Sequence, residues 1–177
     1  MSMIAKLVTF WRDRKGLSAI EFAILAPVMI SFYFGGVEIS DVMTVDRRVT
    51  TVASATADIV AQATQIDNSD IQDVFTAASS IMQPYNGAGI QIVVSSVADN
   101  NGVATVLWSD GFQTTPRGVG STVTLPSGLL TPGGSVVMAE VTYVYDSPFA
   151  DFYIINPVLT DTFYLKPRRV LQIPRIP

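Results

Sequence analysis

The chain has 177 residues, and none of them is cysteine or histidine. Without cysteine there is no disulfide, no thiolate metal site and no cysteine nucleophile. Without histidine the commonest general base and a common metal ligand are missing. Lysine is scarce as well: beyond Lys15 there is only Lys166. A catalytic site would have to be assembled from carboxylates, hydroxyls and that lysine. Two acidic stretches could supply the carboxylates. Asp67, Asp70 and Asp73 are spaced by three but straddle a predicted helix start, where carboxylates favour the dipole. Asp99-Asn100-Asn101-Gly102 lacks the spaced ligands and terminal glutamate of a calcium loop. A cap and a turn explain them, so the chain reads as a non-enzyme with no metal and no cofactor.

Charge is also sparse, at 15% of residues against 49% hydrophobic. What charge there is lies unevenly. Met1–Gly16 holds Lys6, Arg12, Arg14 and Lys15 against Asp13. The rest holds seven basic and fourteen acidic residues. A chain this acidic beyond its basic start is a poor match for nucleic acid. Its length suits one membrane anchor and one modest domain.

What the chain does have is a long apolar run. Leu17–Val37 is 21 residues with a single charge, Glu21. About 20 apolar residues at 1.5 Å each cross a bilayer core. Cations precede the run, and Glu38 and Asp41 follow it, so the N-terminus is expected in the cytoplasm and the C-terminal part outside, in the periplasm. A buried core helix would show a polar face, which this run lacks. Pro27 removes one backbone donor inside the run, and Gly35 and Gly36 permit close helix approach.

The basic start reads as a leader, residues 1–16. A secretory signal peptide carries its small residues after the apolar region. Here Gly16 comes before it, so cleavage after Gly16 would leave the apolar helix in the mature chain. Glu21 then acquires a meaning. A carboxylate within a membrane helix costs about 2.5–3.5 kcal/mol at the centre and less near the interface. Cleavage frees an α-amine on Leu17, four residues away and on the same helix face. Within or between subunits, that amine is a charge partner for Glu21.

Residues 39–66 continue the helix in amphipathic form. Val42, Val45, Val49, Val52, Thr56, Ile59, Val60 and Ala63 recur at spacings of three and four, with Asp46, Arg47, Arg48 and Asp58 off the stripe. The expected cover for the distal stripe is the chain's own C-terminal sheet. A bundle with other copies or partner helices is the alternative. Residues 67–177 form the extracytoplasmic part. Ser69 and Gln72 suggest a capping box for a second helix over 70–82. Strands are expected at 90–97 and 103–108, joined by a four-residue turn, then at 121–125, 135–145 and 159–165. The strongest strand places Val137, Ala139, Val141, Tyr143 and Tyr145 on one face. The Pro-spaced tail is expected to be extended. The fold class is α+β: a long N-terminal hydrophobic helix, a second shorter helix and an antiparallel sheet of about four strands.

The stretch GLSAIEFAILAPVMISFYFGGVE resembles the prepilin-type signal of TadE-like proteins, minor pilins or pseudopilins of tight-adherence (Tad, type IVc) pili. Gly16 matches the cleavage glycine, Leu17 stands at the first mature position, and Glu21 matches the fifth-position glutamate. Phe22, Ala23, Pro27 and Glu38 match the remaining signature. The resemblance covers about 25 residues. It implies a prepilin peptidase, other pilin subunits that contact the N-terminal helix, an inner-membrane assembly platform and membrane lipid as partners. It also implies residence in the inner membrane with the C-terminal domain periplasmic, or incorporation into an extracellular pilus. The length implies a minor subunit rather than the major one. The alternative is an uncleaved single-pass anchor that displays a binding or scaffold domain for a secretion or adhesion apparatus, with 109–120 and 149–156 as its contact surfaces.

Overall fold

The computed structural model describes residues 16–147 and 157–177. The leader and the aromatic segment 149–156 lie outside the described residues, apart from Gly16. Six regular elements follow in chain order, with one 3-10 turn at Gly87–Gly89. They are α1 (Leu17–Gln62), α2 (Asn68–Ser80), β1 (Ile90–Asn100), β2 (Val103–Phe112), β3 (Ser135–Val144) and β4 (Val158–Leu165). This is the expected α+β fold: a long first helix, a shorter second one and a four-stranded antiparallel sheet. The chain divides into two compact units, residues 1–41 and 42–177.

In the first unit, residues 17–41 of α1 leave their apolar side chains bare. Leu17, Ile20, Phe22, Ile24, Leu25, Met29, Phe32 and Tyr33 are all exposed. No other part of the unit covers them among the described residues. Pro27 lies inside the helix and leaves the carbonyl of Ala23 without its usual donor. The helix continues through it, and the Ser31 hydroxyl donates to the Pro27 carbonyl at 2.9 Å. By length and composition α1 can cross a membrane, and its most apolar window is wholly unburied. Residues 17–41 give about 37 Å of helix, against about 30 Å of hydrocarbon.

In the second unit the amphipathic half of α1 lies over the sheet. Val45, Val49, Val52, Thr56 and Val60 are fully buried, and Ala53, Ala57 and Ala61 are buried beside them. The apolar members of this row share one core with Ile71, Val74, Phe75 and Ala78 of α2 and Ile90, Ile92 and Val94 of β1. Val137, Ala139, Val141, Tyr143 and Tyr145 close it from the sheet side, on one face as the alternation requires. The chain's own sheet therefore covers the distal stripe. Ile59 departs from the expectation at 43% exposed: it sits at the rim of the row, beside Val60, which takes the core position.

Helix α2 starts two residues earlier than its pattern suggests, with Asp67 as cap. The Asp67 carboxylate accepts from the N–H of Ser69 at 2.7 Å and of Asp70 at 2.8 Å. Asp70 returns the bond, accepting from the Asp67 N–H at 3.0 Å. The capping box is thus Asp67/Asp70, and Ser69 is a helical residue. A carboxylate at the cap is as good an acceptor as a serine hydroxyl and lies closer to the break.

The strand order is β2-β1-β3-β4. β1 and β2 are longer than expected, because their pairing runs down to Asn100 opposite Val103. The connection is therefore a two-residue turn, Asn101-Gly102, with φ of 55° and 86°. Positive φ at both central positions matches the right-handed twist of the flanking strands. Asp99 fixes this turn by accepting from Gly102 N–H and also reaches Gly133 N–H. The expected strand at 121–125 is a single bridge, Thr105 to Thr122, along the β2 edge. On the sheet's second face Val97, Val106, Val136 and Met138 form a smaller cluster beneath Val123, Leu125 and Leu130.

The tail forms a strap across the second unit. Arg168 N–H donates to Ala61 O, Ile66 N–H to Pro174 O and Ile176 N–H to Ile66 O. Ile173 is buried, and its carbonyl accepts from the Trp108 indole at 2.7 Å. The Arg175 guanidinium reaches both oxygens of Asp110 and the side chain of Asn68. The tail thereby joins the end of α1, the start of α2 and strand β2.

Candidate functional site

The sequence-predicted residues all lie on or beside the first half of α1. Gly16 immediately precedes the helix, and a side chain at its position would meet nothing within 4 Å. Leu17 opens α1 and is 56% exposed. Glu21 is one turn further and exposed. The helical spacing of four places Leu17 and Glu21 on one face. Glu21 has no hydrogen bond or ion pair among the described residues. Phe22 is exposed, and Pro27 sits within the helix.

Glu38 differs from the rest. Its residue is only 2% exposed, and neither carboxylate oxygen has a hydrogen-bond partner among the described residues. It lies seventeen residues from Glu21, about 25 Å along the helix. The structure therefore brings Leu17 and Glu21 together and keeps Glu38 apart as a separate acidic position. The sequence places Glu38 just beyond the apolar run, where solvation is expected. Nothing in the local pattern signals that it is buried.

The second unit holds charged contacts that sequence periodicity did not reveal. Arg48 lies off the apolar stripe, yet it donates to the carbonyls of Ile81 and Gln83 at 2.8 and 2.7 Å. Its guanidinium also lies over the Tyr85 ring, 5.5 Å from the centroid. It thereby satisfies carbonyls at the end of α2, which has no basic residue in its last turn. Arg117 and Glu140 form a bidentate pair with both contacts at 2.6 Å. That pair lines a cavity of about 240 Å³ with Gln91, Thr114 and Thr142. The hydrogen bonds to Glu140 raise the Arg117 pKa, against the opposing effect of burial. Asp110 does the same for Arg175. Arg168 pairs with Asp58. A cavity of about 470 Å³ lies between the end of α1 and α2, lined by Ile59, Ala63, Asp70, Asp73, Val74 and Arg169.

None of these clusters assembles a nucleophile with a base, and no group of three or more acidic residues converges to hold a metal among the described residues. The chemistry on display is that of an apolar helix with isolated carboxylates, continued into an α+β domain. Residues 16–58 match the family model TadE, described as TadE-like protein. The matched segment is Gly16 with all of α1 but its last turn. No curated protein and no solved structure matches the chain.

Proposed function

We propose that the protein is a minor pilin or pseudopilin of a tight-adherence pilus. In this reading a prepilin peptidase cuts after Gly16 and leaves Leu17 as the mature N-terminus. The helix then waits in the inner membrane with the α+β domain in the periplasm, and enters the pilus by exchanging lipid for other pilin helices. The family match over 16–58 carries the reading, since it spans the cleavage glycine and the whole apolar run. The exposed apolar side chains of residues 17–41 support it: both lipid and a helical bundle would cover them.

The role of Glu21 follows from electrostatics. In the bilayer, an unpaired carboxylate is unfavourable. The new α-amine of Leu17 supplies the opposite charge on the same helix face. When that pair forms between subunits, it also sets their register. Glu21→Ala should therefore insert into the membrane and be cut normally, but its recovery in sheared pili should fall. Loss of one interaction of about 1.4 kcal/mol corresponds to a tenfold drop. Wild-type recovery in the pilus fraction would contradict the pairing.

A further inference from the structure

The second face of the sheet is covered in one half and hollow in the other. Around Val97, Val106, Val136 and Met138 it is capped by Val123, Leu125 and Leu130. Beyond them the same face turns polar. Two cross-strand pairs of β1 and β3, Val93 with Glu140 and Gln91 with Thr142, form a floor. The 113–117 loop supplies the wall through Thr114, Thr115 and Arg117. The space between is the cavity of about 240 Å³.

The wall is anchored along its length. At Gly111 the missing side chain lets the Thr114 carbonyl approach closer than a Cβ would allow. The Arg117 N–H donates to the Ser109 hydroxyl at 3.1 Å, and Ser109 shares a hydrogen bond with the Ser95 hydroxyl at 2.9 Å. Gln113, at φ 56°, donates its side-chain amide to the Gly87 carbonyl at 3.3 Å. Arg117 crosses to Glu140 on the floor through Nε and Nη2. A cavity held this way keeps its shape before anything enters it, which spares a ligand the cost of ordering the loop.

The polar lining selects among ligands. Gln91, Thr114, Thr115 and Thr142 have side chains with no hydrogen-bond partner among the described residues. Each hydroxyl, and the carboxamide as a whole, both donates and accepts. Arg117 and Glu140 bring opposite charges that cancel, and Nη1 of the guanidinium is not used by Glu140. An anion would have to draw Arg117 from Glu140, and a cation Glu140 from Arg117; the strength of a bidentate pair opposes both. A peptide strand finds no ladder here, because β1 and β3 are each paired on both sides within the sheet. A neutral ligand with several hydroxyls matches donors set beside acceptors, and Val93 offers an apolar surface to its C–H groups. A sugar ring has that chemistry.

We propose that this cavity binds a single neutral sugar ring, with Gln91, Thr142 and Arg117 as polar contacts and Val93 beneath it. The site lies within the second unit and is independent of the pilin reading.

The test uses amide NMR spectra of the full-length, isotope-labelled chain in dodecylphosphocholine micelles, since maltoside and glucoside detergents carry the probe chemistry themselves. The probes are the methyl glycosides of glucose, galactose, mannose and N-acetylglucosamine, with sodium acetate as a charged control. At least one glycoside should saturably shift the backbone amides of Val93, Thr114 and Thr142 and the side-chain amide of Gln91, and acetate should not. Thr142→Val keeps the branched shape and removes the hydroxyl. It should weaken that glycoside about two- to tenfold, the range of one hydrogen bond, without lowering the melting temperature. Gln91→Leu, at an exposed position of the floor, should do the same. Thr124→Val, exposed and outside the lining, should bind as wild type. No saturable shift with any of these glycosides overturns the proposal. So does a glycoside that binds both Thr142→Val and Gln91→Leu as tightly as wild type, because its contacts then lie elsewhere. Equal shifts from acetate on the wild-type chain overturn it as well, since they mark an anion site at Arg117.

Discussion

Single residues carry much of the local geometry, and two of them make direct predictions. Asp67 caps α2 with its carboxylate. The Ser69 hydroxyl, then the Asp70 backbone N–H, hold its pKa below the ordinary 3.8. The folded state therefore takes up this proton at lower pH than the unfolded state does. The resulting stabilisation is complete above the ordinary carboxylate range and is lost as pH falls through 3.8 towards the folded value. Asp67→Ala should lower the melting temperature at neutral pH and flatten the acid limb of the stability profile, while Asp67→Asn should keep most of the cap. Gly111 is the second case. A Cβ there would stand 2.3 Å from the Thr114 carbonyl and 3.1 Å from Pro116 N. Gly111→Ala should thus push the 113–117 loop off strand β2 and destabilise by about 1–3 kcal/mol in chemical denaturation. An unchanged midpoint would mean the loop moves freely.

At the scale of elements, the helices and the core strands were legible because their periods are strong. The three-four spacing of Val45, Val49, Val52 and Val60 and the alternation of Val137, Ala139 and Val141 correspond to the buried faces. Structure and pattern differ where periodicity stops. Asp99 and Asn100 are poor strand formers, which suggests a four-residue turn, yet ladder pairing extends through both to the Asn-Gly corner. The tail gave no periodic signal at all. Its position depends on partners far along the chain: Trp108 for Ile173 and Asp110 for Arg175. Removing residues 168–177 should therefore do more than shorten the chain. Amide exchange at Ile66 should rise by orders of magnitude, since its partner, the Pro174 carbonyl, is lost. Unchanged protection at Ile66 would show that the strap is dispensable. The contact between α2 and the sheet is testable in the same way. Phe75 is 1% exposed and lies 5.5 Å from the Phe112 ring. Phe75→Ala should cost about 3–5 kcal/mol of stability.

At the scale of the whole molecule, the sequence divides by solvent. Residues 17–41 show apolar side chains on every side and few contacts of their own, while residues 42–177 fold around a single main core with a smaller cluster behind the sheet. The candidate site is linear, with Gly16 just before the helix and Leu17, Glu21 and Pro27 along it, so its order is read directly from the sequence, and the roles given to those residues are the proposal above. What was not legible is the burial of Glu38, which depends on tertiary placement rather than on spacing. The central claim is that the apolar helix becomes an assembly element only after the leader is removed. N-terminal sequencing of the protein from membranes with and without the prepilin peptidase tests it most directly. The account predicts a chain beginning at Leu17 when the peptidase is present and an intact leader when it is not. An uncut Gly16–Leu17 bond in both preparations would contradict it.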